Sequence, residues 1–391
     1  MKRREFLHKS AIAGTTLMLP GFLQAFNKRS LNLNQNKLII IQLAGGNDGL
    51  NTITPYRSDD YYKNRPSISL AKNKLLKVND ETGFHPSLQN LAQMFEKGEV
   101  SIVNQVGYPN QNKSHFRASD IWLSASDSQE YLQHGWLGRY LDAECQSPHD
   151  AIQSGTQLSL ALKGEKSLGM AFTDARQLYT ISNESFIHEL SASTNDKTGE
   201  LAYLYKTLTQ TQQSTEYIFN TSKTYSTKTE YPKHKLAQSL KMIASLIGSN
   251  TETQIYYTEM GGFDTHTNQN TRQQQLLTQL DESLAALKKD LQQSNSWHNT
   301  LILVFSEFGR RISENGSKGT DHGKANNVWL LGGRLANPGF YNPISNLQLS
   351  EDNDLLHSVD FRTIYSSVIH DWLKSDYKSI VGTQFKPLSL I

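Results

Sequence analysis

Two stretches of this chain are apolar from end to end and yet only as long as a strand: KLIIIQLA at 37–44 and TLILVF at 300–305. A strand with one face in water alternates apolar and polar residues, whereas a strand covered on both faces does not. Both runs therefore predict strands inside a parallel sheet with helices on either side. The segment 85–99 (HPSLQNLAQMFEKGE) places Leu88, Leu91, Met94 and Phe95 at helical spacing and stops at Gly98, and 100–109 (VSIVNQVGYP) follows as a strand and turn. Further on, 253–260 (TQIYYTEM) reads as a strand. The segment 268–294 reads as an amphipathic helix with Leu276, Leu277, Leu280, Leu284, Leu287 and Leu291 on one stripe. A strand at 327–333 (NVWLLGG) and a helix at 360–373 close the pattern. Strands alternating with helices predict an α/β fold: a doubly wound, mostly parallel sheet flanked by helices, with ligands at the carboxyl ends of the strands.

The middle of the chain breaks this pattern. Residues 142–249 are polar and rich in Ser, Thr, Gln and Lys, and read as a mainly helical insertion or cap. A strand is expected at 158–162, helices at 199–220 and 234–247, and a linker at 221–230. The expected organisation is one α/β domain over 37–391 carrying this insertion.

The first 26 residues are set apart. Arg3 and Arg4 precede Phe6-Leu7 and an apolar run broken by Pro20, the form of a twin-arginine export signal. The run is shorter than the roughly 20 residues of a spanning helix, so no stable membrane span is expected. The chain is thus expected to meet the twin-arginine machinery and to work in the periplasm or outside the cell. The full chain carries +2; residues 1–25 contribute +3 (Lys2, Arg3, Arg4 and Lys9 against Glu5), which leaves −1 for the rest. That balance offers nucleic acid no basic field. The single cysteine, Cys145, excludes an internal disulfide and a Cys-rich metal site. The five tryptophans (Trp122, Trp136, Trp297, Trp329, Trp372) sit in apolar or helical patterns and read as core rather than as a sugar-binding surface.

The candidate site residues stand where the strands end. GGNDG (45–49) follows the first apolar run and carries Asp48; GGFDTH (261–266) carries Asp264 and His266; SEFGRR (306–311) carries Glu307 and Arg310; GTDHG (319–323) carries Asp321 and His322. Acids and imidazoles gathered at the ends of separate buried strands are how hard-metal hydrolases assemble their sites. Each has a plainer reading: a turn or cap for Asp48 and Asp264, a salt bridge to Arg310 or Arg311 for Glu307, a surface loop for Asp321 and His322. Ser114 is placed near a helix N-terminus, where a hydroxyl meets a favourable dipole, and Arg117 one turn later has the geometry to hold an oxyanion. His115 stands between them as a ligand or an acid–base group. His85 reads as a cap or core histidine.

Taken together, GGNDGLNTITPY, HPSL, SHFRASDIW, GWLGRYLD, GGFDTH, SEFGRR, GTDHG and DFR resemble the bacterial domain-of-unknown-function family 1501, over about 38–373. That family is in turn remotely similar to the alkaline phosphatase and sulfatase superfamily. The resemblance implies an alkaline-phosphatase-like sheet, one or two metal ions, and a nucleophile at a helix N-terminus. On this pattern Asp48, Asp264, His266, Glu307, Asp321 and His322 would hold metal. Ser114, His115, Arg117 and Arg310 would carry the catalysis. The chain departs from the superfamily: the metal pair Asp264-Thr265-His266 is closer than Asp-x-x-x-His, Glu307-Phe308 lacks a histidine, and 114–117 lacks the sulfatase proline.

Two functions follow as expectations. One is an exported, metal-dependent hydrolase of a phosphate or sulfate ester, with zinc, calcium, magnesium or manganese activating Ser114 or a water. Its substrate would be a small anionic ester or a sulfated or phosphorylated glycan. The other is a non-catalytic relative that binds a glycan or an export partner.

Overall fold

The structure is a computed structural model that describes residues 36–184, 200–344, 347, 349, 350 and 353–391. The expected export signal lies outside the described residues. Among the described residues no helix is long and apolar enough to cross a membrane.

The first apolar run forms β1 (Lys37–Leu43). A small antiparallel sheet follows from β2 (Ile53–Pro55), β3 (Leu76–Lys77) and β4 (Thr82–Phe84). Next come helix α1 (Gln89–Glu96), strand β5 (Val100–Gly107), and helices α2 (His115–Ser124) and α3 (Trp136–Glu144). Strands β6 (Ala151–Ser154) and β7 (Met170–Phe172) lead to helices α4 (Ala175–Ser182), α5 (Glu200–Ser222) and α6 (Lys235–Gly248). The chain then returns through β8 (Ile255–Met260), α7 (Gln269–Gln293) and β9 (Thr300–Phe305). A hairpin of β10 (Arg310–Glu314) and β11 (Thr320–His322) precedes β12 (Asn326–Gly332), β13 (Gly339–Phe340), β14 (Val359–Asp360) and helix α8 (Phe361–Ser367).

The main sheet runs β13-β5-β12-β9-β1-β8-β6-β7, with β14 also on β5. β1 pairs in parallel with both β8 and β9, and β6 with β8 and β7. β12 is the exception, antiparallel to β9 and to β5. It can reverse because the β10–β11 hairpin, rather than a crossover helix, connects it to β9. The fold is therefore the expected α/β arrangement: a mixed, mostly parallel sheet flanked by helices, with a helical insertion.

The unbroken apolar runs are explained by cover on both faces. Ile39, Ile41 and Leu43 pack with Leu91 of α1, Leu240 and Ile243 of α6, and Leu280, Leu284 and Leu287 of α7. Leu38 and Ile40 face Trp122 of α2, Trp136 and Tyr140 of α3, and Phe361 and Tyr365 of α8. The leucine stripe of α7 is buried as expected, and all five tryptophans are core.

The middle segment differs from its sequence reading in two respects. The expected strand at 158–162 is instead a single 3-10 turn, Leu160–Leu162. Ala161 and Leu162 are buried, and the backbone of the turn lies against α3: a Cβ on Gly135 would stand 2.0 Å from the Leu160 carbonyl oxygen, and one on Gly138 would stand 2.1 Å from the Lys163 carbonyl. Residues 142–249 also supply β6 and β7 to the main sheet. These strands are too short and too polar to register as apolar runs. The helical part is α4 to α6, close to the expected helices at 199–220 and 234–247. At the other end, the closing helix runs as α8 and then widens into a π-turn, Val368–Trp372.

Candidate metal centre

The loops after β1, β8 and β9 meet at the carboxyl edge of the sheet. Close backbone approach makes the junction. Gly45 has φ +120°, and a Cβ there would lie 2.4 Å from the Asp264 nitrogen; only glycine lets the loop after β1 touch the loop after β8. Glu307, at the end of β9, accepts a hydrogen bond from the Gly45 N–H at 2.8 Å, and the Ser306 hydroxyl accepts one from the Asn47 N–H at 2.9 Å.

Arg310 locks the junction from below. Its side chain is fully buried. Nε donates to the Gly46 carbonyl at 2.6 Å and Nη1 to the Thr320 carbonyl at 2.8 Å. Nη2 donates to the Gly45 carbonyl, to the Phe263 carbonyl at 3.1 Å and to Asp264 Oδ1 at 2.7 Å. Burial opposes the Asp264 charge, but the hydrogen bond and charge of Arg310 outweigh it and hold the carboxyl at about 2.

Three imidazoles surround Asp264. His322 donates from Nδ1 to the Lys113 carbonyl at 2.8 Å, and a carbonyl can only accept. His266 donates from Nδ1 to Asp321 Oδ1 at 3.2 Å, and His115 from Nδ1 to Glu307 Oε1 at 3.0 Å; carboxylates likewise accept. A neutral His322 ring is thereby set in the tautomer whose Nε2 carries a lone pair, whereas His266 and His115 each face a carboxylate from both ring nitrogens. The three Nε2 atoms converge. His266 Nε2 and His322 Nε2 are 3.0 Å apart, and they stand 3.0 Å and 3.2 Å from Asp264 Oδ1. His115 Nε2 is 3.5 Å from Asp264 Oδ2. The ligand atoms of His115, Asp264 and His322 all lie within 4.8 Å of one another, a cluster geometrically compatible with metal coordination.

A cation among these nitrogens and the Asp264 carboxylate would take up the lone pairs of every deprotonated nitrogen there. The donor set therefore fits a cation, and the outer partners Glu307, Asp321 and the Lys113 carbonyl are of the kind that orient metal-ligating histidines. Phe308 forms an aromatic floor, its ring 4.5 Å from His322 and 4.9 Å from His115, centroid to centroid. The histidines differ in poise. The Glu307 hydrogen bond raises the His115 pKa, with burial acting against it, whereas burial lowers that of His322.

The remaining sequence candidates are not among these ligand atoms. Asp48 is buried and its carboxylate is fully engaged: Oδ2 pairs with Arg65 at 2.6 Å and accepts from Gln269, and Oδ1 caps the turn Gly49–Thr52. Arg117 is buried and donates to the carbonyls of Asp127, Ser128 and Glu130, with Tyr131 stacked 3.8 Å from its guanidinium. Ser114 is the residue preceding α2; it is exposed and its side chain makes no capping hydrogen bond. Glu307 and Asp321 stand behind His115 and His266. His85 is buried before α1, and its Nδ1 accepts from the Ser87 N–H at 3.1 Å; burial brings its pKa to about 4.

Sequence reasoning missed two residues here. Arg65, which neutralises Asp48, lies in a segment with no motif. Arg311, passed over for Arg310, is half-buried, and its Nε has no hydrogen-bond partner among the described residues. Its charge also helps lower the pKa of Asp321, after the leading effect of the Asn315 hydrogen bond.

The chain belongs to the DUF1501 family, described as a protein of unknown function, whose family model matches residues 35–371. Comparison with curated proteins finds no match. Among solved structures, the zinc complex of the C-terminal periplasmic domain of EcEptC from Escherichia coli is similar at 11% identity and a TM-score of 0.43, covering 91% of this chain and 92% of that one. The lipoteichoic acid synthase LtaP from Listeria monocytogenes matches at 10% identity and a TM-score of 0.37, over 78% of this chain and 67% of that one. A protein in the alkaline phosphatase superfamily from Vibrio parahaemolyticus matches at 9% identity and a TM-score of 0.38, over 78% and 62%. These are remote likenesses of fold.

Proposed function

We propose that this chain is an exported, metal-dependent hydrolase of a phosphate or sulfate ester. The observation that supports it is the gathering of three imidazole Nε2 atoms within 3.5 Å of the Asp264 carboxylate at the carboxyl edge of the sheet. His115, His266, His322 and Asp264 would hold a divalent cation. Of zinc, calcium, magnesium and manganese, a set with three nitrogens suits zinc or manganese over the two all-oxygen cations. A divalent cation held there polarises an ester oxygen and lowers the pKa of a neighbouring hydroxyl or water.

The chain's own residues supply the rest. In this reading Ser114, whose exposed hydroxyl makes no capping hydrogen bond and is one residue from His115, attacks or holds an attacking water. Glu307 and Asp321 orient the rings of His115 and His266. Arg310 uses its donors on the junction and orients Asp264; Arg117 uses Nη2 on the loop at 127–130. Arg117 and Arg311 each keep a buried Nε without a hydrogen-bond partner among the described residues, and in this reading Arg311, the less buried of the two, takes the anionic oxygens of the ester. Asp48 holds the loop after β1 through Arg65.

A second reading, a non-catalytic member of the fold that binds a glycan or an export partner, draws on that same shortage of free arginines. The test is hydrolysis of phosphate and sulfate monoesters by the natively exported protein, with and without added zinc or manganese. Turnover that depends on the added ion supports the hydrolase. Stoichiometric metal with no turnover on either ester class supports the binding protein.

A further inference from the structure

Phe116 is the most exposed large hydrophobic side chain among the described residues, at 87%, and it is the neighbour of His115 in the first turn of α2. A single exposed ring is common on protein surfaces and by itself means nothing. Its position is the informative part. Consecutive Cα atoms are about 3.8 Å apart, and successive helical side chains diverge by about 100°. His115 turns inward to Glu307 and Asp264, so Phe116 projects beside the cluster into solvent. An ester whose anionic end reaches the cluster must lay its organic part across this rim.

The rim is otherwise polar. Asn112, Ser114 and Asp120 are exposed around the same turn, as are Gln129 and Glu130 in the neighbouring loop. Tyr131, 72% exposed, is held at that loop by the Arg117 guanidinium against its ring. An acyl chain needs a continuous apolar groove, and the described residues here form none. A small alcohol would leave the ring unused. A group with one flat apolar face and a hydroxyl-bearing edge matches an isolated aromatic ring in a polar border. Trp122, Trp136, Trp297, Trp329 and Trp372, the usual residues for such a role, are all buried and unavailable.

We infer that Phe116 is a stacking platform for a pyranose ring, so that the ester handled at the neighbouring cluster is that of a carbohydrate. The substrate class rests on the hydrolase reading; the platform itself does not. Phe116 is 87% exposed and belongs to none of the hydrophobic clusters among the described residues, so its removal is expected to leave folding intact.

The experiment is saturation-transfer NMR on the natively exported protein. The probes are neutral methyl pyranosides (gluco, galacto, manno and fuco) and the 6-phosphate and 6-sulfate of methyl galactoside, beside methyl phosphate and methyl sulfate. Wild type is expected to saturate the C–H face of at least one pyranoside. Phe116→Ala is expected to weaken that binding about tenfold and Phe116→Trp to restore it, with methyl phosphate and methyl sulfate unaffected by either. No transfer to any pyranoside in wild type overturns the platform, and so does equal transfer in wild type and Phe116→Ala. Failure of the hydrolase reading looks different: neutral pyranosides still bind through Phe116, while no ester is turned over.

Discussion

Replacing Arg310 by Met separates a residue that holds the site together from one that reaches for substrate. Arg310 serves the Gly45, Gly46, Phe263 and Thr320 carbonyls and the Asp264 carboxylate, with its side chain fully buried. Methionine fills much of the volume and supplies no donor. The Phe263 oxygen also accepts from the Thr265 N–H at 2.9 Å, so it is not orphaned. The Gly45 and Gly46 oxygens and Asp264 lose their main donor. A buried acceptor left without a partner costs about 1–3 kcal/mol, and breaking a buried ion pair from one side about 3–5 kcal/mol. Asp264 is 47% exposed, so its share falls at the low end of that range. Taking the low end for the two carbonyls as well, the expected loss is about 5 kcal/mol out of a typical ~5–15 kcal/mol. Urea denaturation of the metal-free protein reads this directly as a fall in midpoint at unchanged slope. Arg310→Lys keeps the charge without the planar fork and should recover less than half of the loss. A loss below about 1 kcal/mol, together with weaker binding of anionic ligands, would refute the reasoning and make Arg310 an anion-holding group.

The other predictions concern protons and anions. The His115 pKa is raised above its ordinary 6.5, chiefly by Glu307, and a protonated imidazole cannot ligate. Zinc affinity measured by competition with a chelator should therefore fall as pH drops, beginning above 6.5, and Glu307→Gln should move that fall to lower pH. In the metal-free protein the His115–Glu307 pair has the opposite sign: its stabilisation is present below the unfolded pKa and fades as pH rises through the folded one. A pH-independent affinity between 6 and 8 would contradict the ligand role of His115. Arg311→Ala should weaken inorganic phosphate or sulfate binding to the metal-loaded protein about tenfold without changing metal content. Unchanged anion affinity would remove Arg311 from the site.

Much of the fold was legible because burial leaves a strong mark on sequence. β1 and β9 lack alternation since each is covered on both faces, and the α7 leucines recur at helical spacing since one stripe meets the sheet. β6 and β7 left no such mark, being three or four residues long. The apolar stretch at 158–162 misled because packing on α3 buries a 3-10 turn as well as sheet pairing buries a strand. At the site, Asp264, His266 and His322 could be picked out by motif, and the structure brings them together. What sequence could not rank was who partners whom. Asp48 follows a strand like a ligand but sits within reach of Arg65, seventeen residues on. Arg310 and Arg311 are adjacent in sequence, yet one points into the junction and the other is left with an unpaired nitrogen.

The central claim is that three imidazoles and Asp264 hold a cation. Elemental mass spectrometry of the full-length protein, purified without chelators, tests it against an Asp264→Ala, His322→Ala double variant of matched far-ultraviolet circular dichroism. The account predicts near-stoichiometric zinc or manganese in the wild type and its loss in the variant. Wild-type protein without metal, or a variant that keeps it, would contradict the account.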